Sequence, residues 1–241
     1  MGLRRFLVSS KSFSEDVIEL PAQEANHARK VLRLKAGQEI TLIDGQGVSA
    51  QARIVKMAKD QVLCRVERLE TLSTLCPKLV LCPGLLKAPA MDTLAEKLTE
   101  LAVDEVRPVL CQRSVPRLDQ PAARLARWER LAGQALKQCG GPRAPLFFLP
   151  APFEQILEQA LPSARRIMLY ENEKTLTLAN VLEKSFDNDE IWVLIGPEGG
   201  FSDIEAQSAR AAGFSLCGLR GPILRAETAS LAAASLIRFG R

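Results

Sequence analysis

Hydrophobic and polar positions alternate with a period close to two through roughly the first third of the chain, then change rhythm after Pro77. In the first region the alternation predicts short strands at Arg5–Val8, Val17–Leu20, Glu39–Ile43, Ala50–Met57 and Gln61–Leu69. Asp44-Gly45 and Lys59-Asp60 supply turns between the later strands, and one helix is predicted at about Gln23–Leu34. A sheet this small must have its edges covered, which predicts a closed or half-closed β-barrel over 1–73. Beyond the short linker around 71–78, strands are predicted at Leu79–Cys82, Val106–Cys111, Leu146–Leu149, Arg166–Tyr170, Ile191–Ile195 and Ser215–Leu219. Helical spacing fills the intervals at Met91–Ala102, Ala122–Gln138, Phe153–Ala160, Leu178–Lys184 and Asp203–Ala212, and Glu227–Phe239 closes the chain. Met91, Leu94, Leu98 and Leu101 recur at helical spacing and are core positions. This alternation predicts an α/β domain over 74–241, with a mostly parallel sheet covered by helices on both faces.

Composition narrows the function classes. The 241 residues are 47% hydrophobic and 25% charged, the proportions of an ordinary globular protein. No uncharged apolar run reaches the length of about 18 residues that a membrane span needs, so no membrane partner is expected. The amino-terminal apolar stretch is too short for a signal peptide. Six scattered cysteines without a C-x-x-C pair favour reduced thiols and a cytoplasmic protein. The single histidine, His27, rules out multi-histidine metal sites, and no metal is expected. Net charge is only +4, but it is unevenly spread. Arg107, Arg113, Arg117, Arg124, Arg127, Arg130, Lys137 and Arg143 face only Asp119 and Glu129 in the same stretch, and Arg29, Lys30, Arg33 and Lys35 form a second cluster, with Arg4 and Arg5 at the terminus. Two such clusters point to a phosphate-backbone partner, against the common alternative of a solvated helix face.

Candidate chemistry sits at strand ends, where open α/β sheets bind ligands. Ile191–Ile195 runs into Gly196-Pro-Glu-Gly-Gly200, whose glycines permit close backbone approach and positive φ. Ser202 and Glu205 then form a capping box that opens a helix. The loop is no phosphate cradle: it lacks the Gly-Lys-Ser/Thr of a P-loop and the G-x-G-x-x-G of a dinucleotide site, and Glu198 would repel phosphate. A neutral or cationic ligand with a planar base suits it, which S-adenosylmethionine satisfies without being singled out. Leu219-Arg-Gly-Pro-Ile-Leu-Arg225 is a second loop, leading into an alanine- and serine-rich helix on which other backbone can pack closely. Leu169-Tyr-Glu-Asn172 ends a third strand.

The residues Leu194-Ile-Gly-Pro-Glu-Gly-Gly-Phe-Ser202 with Glu205, followed by Leu219 to Arg225 and Glu227-Thr-Ala229, resemble the signature of the RsmE family of ribosomal RNA methyltransferases, in the SPOUT superfamily. The resemblance continues in Ala25–Arg33, Met91–Leu101 and Gln138–Gly140, and so spans nearly the whole chain. It implies a PUA-like barrel that grips RNA, a trefoil-knotted methyltransferase domain, a homodimer, S-adenosylmethionine as cofactor, and methylation of N3 of a uridine in small-subunit ribosomal RNA. Carried over, the cofactor positions are Leu169, Tyr170, Ile195, Gly196, Pro197, Glu198, Gly199, Gly200, Leu219, Gly221, Ile223, Leu224, Arg225, Thr228 and Ala229. Arg5, His27, Arg29, Lys30, Arg33 and Arg113 are the candidate RNA contacts. The chain departs from the family pattern at Ala102 and over Lys137–Gly141, where an acid and an arginine are missing; Arg143 is offered as a substitute for the latter.

Negative charge develops on uracil as N3 loses its proton, so a cation should stand nearby, and Arg225 is the candidate. The competing role for Arg225 is a salt bridge to Glu198 or Glu227. The proton acceptor is left open between Glu198 and solvent. Three alternatives stand beside this one: a different RNA target, a non-catalytic assembly factor, and a small-molecule α/β enzyme.

Overall fold

The computed structural model describes residues 4–59, 61–115, 119–183 and 190–240. Asp60 of the predicted turn, Arg117 of the basic stretch and Lys184 at a predicted helix end lie outside them. The chain divides into two compact units: one runs to Thr74 and takes in Gly133–Ala144, and the other comprises Leu75–Ala132 and Pro145 onward.

In the first unit β1 (Arg5–Leu7), β2 (Val17–Glu19), β3 (Glu39–Ile43), β4 (Val48–Met57) and β5 (Val62–Thr71) form one sheet in the order β1-β3-β4-β5-β2. Antiparallel ladders join β3 to β4, β4 to β5 and β2 to β5, whereas β1 adds to β3 in parallel. Among the described residues no ladder joins β1 to β2, so the sheet is half-closed. Alternate residues such as Phe6, Ile18, Ile40, Leu42, Ile54 and Cys64 fill its core. The predicted helix is α1 (Ala22–Asn26), which widens into a π-helical turn at His27–Val31 and stops short of Leu34. Arg33 follows at φ 51, a left-handed conformation that no helix can continue through.

The end of α3 (Pro121–Cys139) belongs to this unit, which the sequence pattern did not foretell. Three contacts explain it. Arg5 Nη1 donates to the carbonyls of Lys137 and Gln138, satisfying free acceptors at the helix terminus. Lys137 Nζ pairs with Glu24 Oε1 at 2.7 Å, and Arg143 forms a bridge with Gln46. The lysine at the departure from the family pattern therefore has a buried acid as its partner, with Glu24 only 7% exposed.

The second unit carries β6 (Lys78–Pro83), α2 (Ala88–Glu100), β7 (Glu105–Val106), β8 (Val109–Leu110), most of α3, β9 (Leu146–Phe147), β10 (Ala151–Pro152), α4 (Phe153–Gln159), β11 (Arg165–Leu169), α5 (Leu178–Glu183), β12 (Glu190–Ile195), α6 (Asp203–Ala211), β13 (Ser215–Cys217) and α7 (Ala226–Phe239). Its main sheet has the order β13-β11-β12-β6-β7-β9, every pair parallel. All of Ile191–Ile195 is buried, as both faces of the sheet are covered. One face packs Trp192, Leu194 and Met168 with Phe153, Ile156 and Ala209 from α4 and α6. The expected strand at Val106–Cys111 is broken in two, because Pro108 has no N–H to continue the ladder; β8 instead pairs with β10 in a separate two-stranded sheet. Small buried residues of α7, Ala226, Ser230, Ala233 and Ala234, let that helix lie against the sheet, and Arg238 fixes its end by donating to Pro77 O, Ala102 O and Asp104.

Candidate functional site

The carboxyl ends of β12, β11 and β13 meet at one end of the sheet, where their loops line a half-open cavity of about 500 Å³, with the end of β6 packed behind them. That volume lies in the range of sites for a small organic ligand. The cavity owes its shape to backbone passing close to backbone. Gly84 N, just past β6, donates to Ile195 O at 2.7 Å, and a Cβ on Gly84 would stand 2.5 Å from Pro197 N. Gly200, at φ 67, closes a turn onto Pro197 O, and a Cβ there would meet Glu171 Oε1 at 2.8 Å. Gly218 exchanges hydrogen bonds with Leu176 O and Leu178 N, and a Cβ there would lie 2.6 Å from Glu173 O. Backbone in the way excludes any side chain at Gly84 and Gly218, whereas at Gly200 it is the left-handed φ that disfavours one.

The expected capping box is present. Ser202 Oγ accepts from Glu205 N, while Glu205 Oε2 accepts from Ser202 N. Glu205, only 6% exposed, uses its other oxygen to accept from Gln112 N at 2.8 Å. With Asp203 and Glu205 in its first turn, the start of α6 is filled by its own acids and is closed to an anion.

All of the sequence-predicted cofactor positions line the cavity except Gly199 and Thr228. Gly199 faces Arg113, and Thr228 is exposed on α7. Glu198 and Arg225 both line the cavity and are exposed. Among the described residues Arg225 pairs with neither Glu198 nor Glu227, so the salt-bridge alternative is not realised. Tyr170 lines the wall; its hydroxyl donates to Asp203 and accepts from Asn172 Nδ2. The Asp203 carboxylate that takes this proton holds the phenol above its usual range. Glu173 accepts from the amides of Thr175 and Leu176, which hold its carboxyl below the usual range. Burial pushes the thiols of Cys111 and Cys217 up to about 12, so neither is a thiolate nucleophile near neutrality.

The candidate RNA contacts are dispersed. His27 lies edge-on to Phe6, with ring centroids 6.4 Å apart. Lys30 and Arg33 are exposed, and Arg29 reaches only Asn26. Arg5 is committed to the end of α3, and Arg113 to carbonyls of the glycine loop. Sequence reasoning missed Gly84, Gly218, Glu173, Lys174, Thr177 and Arg220. Gly84, which packs behind Pro197, had a usable signal, a glycine directly after an apolar strand; Gly218 and Arg220 sit beside positions already named in the Leu219–Arg225 loop, whereas Glu173, Lys174 and Thr177 reach the cavity only through the sheet order. No cluster of metal-binding side chains occurs among the described residues.

Comparison with known proteins accounts for both units. The family model for an RNA methyltransferase domain matches residues 74–238, and that for an RNA methyltransferase PUA domain matches 20–67. The chain belongs to this RNA methyltransferase family. Among its relatives, the ribosomal RNA small subunit methyltransferase E of Bacillus subtilis is 26% identical, across 98% of this chain and 96% of that protein. The enzyme of that name from Synechocystis is 28% identical, across 97% and 76%. The crystal structure of a ribosomal RNA small subunit methyltransferase E from Neisseria gonorrhoeae, bound to S-adenosyl methionine, superposes with a TM-score of 0.87 at 27% identity, covering 98% of this chain and 97% of that one. The amino-terminal sheet is accordingly the PUA domain, and the parallel sheet with its loop-walled cavity is the methyltransferase domain.

Proposed function

We propose that this RNA methyltransferase transfers the methyl group of S-adenosylmethionine to N3 of a uridine in small-subunit ribosomal RNA. The observation that carries the reading is the cavity itself, built from the glycine loop, the Leu219–Arg225 loop and the end of β11. The residues present fit the cofactor. Its adenosine needs a site walled by backbone, which the close approaches at Gly200 and Gly218 supply, with Gly84 packed behind Pro197. Its positive charge is compatible with Glu171, Glu173 and Glu198 on the lining, and the self-capped α6 offers nothing to a phosphate. When bound, S-adenosylmethionine supplies a methyl group made electrophilic by its sulfonium.

The protein's residues do the rest. N3 of uridine pairs through its own edge, so the base must be unpaired or turned out of a helix to enter. As the N3–CH3 bond forms and the methyl parts from the sulfur, which would keep the bonding electron pair, the N3 proton leaves to Glu198 or to solvent. Arg225, in no ion pair among the described residues, stabilises the negative charge that develops on the uracil. Holding the two reacting atoms in line contributes roughly 7–11 kcal/mol in systems of this type.

Exposed His27, Lys30 and Arg33, with Arg29 beside them, supply the RNA-docking face of the PUA domain. Reversing charge at Arg29 and Arg33 should weaken RNA binding and lower the slope of log affinity against log salt by about one for each lost phosphate contact. Unchanged affinity across a salt series removes these residues from the interface. Exposed Ile223, Leu236 and Phe239 offer apolar surface for the homodimer that the family implies, and the return of α7 to β6 and β12 supports its knotted arrangement. No helix among the described residues is long and apolar enough to cross a membrane. A ribosomal RNA substrate, in turn, implies action in the cytoplasm. The deciding experiment is mass spectrometry of small-subunit ribosomal RNA from a strain lacking the gene. A 3-methyluridine should vanish and return on complementation, and its persistence overturns the assignment.

A further inference from the structure

Arg113 was expected on the RNA, yet its guanidinium is turned onto the glycine loop. Nη1 donates to Gly199 O at 3.1 Å and to Phe201 O at 3.3 Å. These carbonyls flank Gly200, the residue at φ 67 whose amide closes the turn onto Pro197 O. Pinning both fixes the Gly199–Gly200 peptide plane within the turn and the Phe201–Ser202 plane just beyond it, and these planes set the backbone that the loop shows to the cavity. Contact with the arginine is close: a Cβ on Gly199 would stand 3.0 Å from Arg113 Cβ and 3.3 Å from Arg113 O. The preceding residue adds a bond of the same sense, as Gln112 N donates to buried Glu205 Oε1. The same carboxylate holds Ser202 N and Oγ through Oε2. Ser114 Oγ accepts from Cys111 N, which keeps this short segment folded in a turn of its own. Residues 112 and 113 thus grip the loop from Gly199 to Glu205 by three hydrogen bonds, two from the arginine and one to the glutamate.

We propose that Arg113 is a positioning residue for the cofactor loop, acting through the Gly199 and Phe201 carbonyls and not through RNA phosphate. The inference rests on the S-adenosylmethionine reading of the cavity and assigns one more residue to it. A loop that samples other turns when the guanidinium is gone binds cofactor less often in the competent shape, so the loss falls on affinity and not on the chemical step.

The test compares the full-length wild type with Arg113→Ala and Arg113→Lys. Titration calorimetry with S-adenosylmethionine should show about a ten- to hundredfold loss of affinity in Arg113→Ala, as for a loop that holds the competent shape only about a tenth to a hundredth of the time. Arg113→Lys, which keeps a cation able to reach a carbonyl, should recover much of it. In methyl-transfer assays KM for the cofactor should rise, with kcat at saturating cofactor within about twofold of wild type and RNA affinity unchanged. Unchanged cofactor affinity with weakened RNA binding overturns the proposal and returns Arg113 to the RNA surface. Hydrogen exchange supplies a readout independent of ligand. Faster exchange at the Gly200 amide in unliganded Arg113→Ala supports the grip, and exchange equal to wild type overturns it. If the wild type itself fails to bind S-adenosylmethionine, the cofactor reading falls, and the exchange result still decides the role of Arg113.

Discussion

The two ends of the parallel sheet in the methyltransferase domain use charge in opposite ways. Beside its amino end, Lys78 pairs with Glu105 at 2.6 Å and lies 3.5 Å from Glu190. Arg107 takes the other oxygen of Glu105, bonds Gln159, and stacks 3.6 Å above the centre of the Phe148 ring, while Trp192 Nε1 donates to Glu190. Each of these charges is satisfied by a neighbour. At the carboxyl end, Arg220, Arg225 and Glu198 line the cavity without an ion pair among the described residues, and the walls are glycine backbone. One end commits Lys78, Glu105, Arg107 and Glu190 to neighbours, and the other, whose loops are held by Arg113, Asp203 and Glu205, keeps Arg220, Arg225 and Glu198 available for a ligand. Buried, mutually satisfied polar groups make a rigid base, and a cavity with uncommitted charge needs such a base beneath it.

If this division holds, changes at the two ends should separate stability from activity. The largest effect is expected for Arg225→Ala, which should lower kcat by about 10²–10³-fold, the usual loss of one charge-stabilising group. Its thermal midpoint should stay at the wild-type value; near-normal methylation by this variant would remove Arg225 from the chemistry. Gly84→Ala comes next and blurs the division, because it belongs to both the strand end and the loop. Its new methyl group would collide with Pro197 backbone, so unfolding free energy should drop by about 3 kcal/mol and cofactor titration should weaken with it. Chemical denaturation giving a wild-type midpoint would show that the loop yields freely.

Glu105→Gln should have the smallest effect, about 2 kcal/mol. That figure sits below the usual cost of breaking a buried pair because Lys78 is partly exposed to solvent. Methylation at a permissive temperature should be unaffected. Burial alone would raise the Glu105 pKa, but bonds from Lys78 and Arg107 outweigh it and hold the group below its ordinary value of 4.5. Its contribution to stability is therefore present above about pH 4.5 and is lost as pH falls from there through the lowered folded value. Melts recorded downward from pH 6 should bring wild type and Glu105→Gln progressively together once the pH falls below about 4.5. A gap that stays constant would place the stabilisation elsewhere.

What the sequence made legible was local. The Ser202–Glu205 box and the Gly196–Gly200 turn are written in consecutive residues, and both appear where expected. Strand ends shifted by a residue or two, as hydrophobic periodicity blurs where a ladder stops. The break at Pro108 was readable, since proline cannot donate within a ladder, but the apolar residues around it masked the signal. The remaining differences join distant positions. Lys137 meets Glu24 across 113 residues of chain, Arg113 meets Gly199 across 86, and Gly84 meets Pro197 only because β12 lies beside β6. A basic residue looks the same in a sequence whether it faces solvent, an acid or a carbonyl. For that reason Arg5 and Arg113 read as nucleic-acid contacts, although each caps or clamps backbone.

One helix gives the quiet end of this domain a mechanical hold on the busy one. Arg225 is the N-cap of α7, and Arg238, its side chain 2% exposed, anchors the far end of that helix to Asp104, Ala102 and Pro77. A helix of 14 residues is a stiff rod of about 21 Å. The anchor therefore works as a tie bar: slackening it tilts or slides the whole rod and carries the cavity residue at its head along with it.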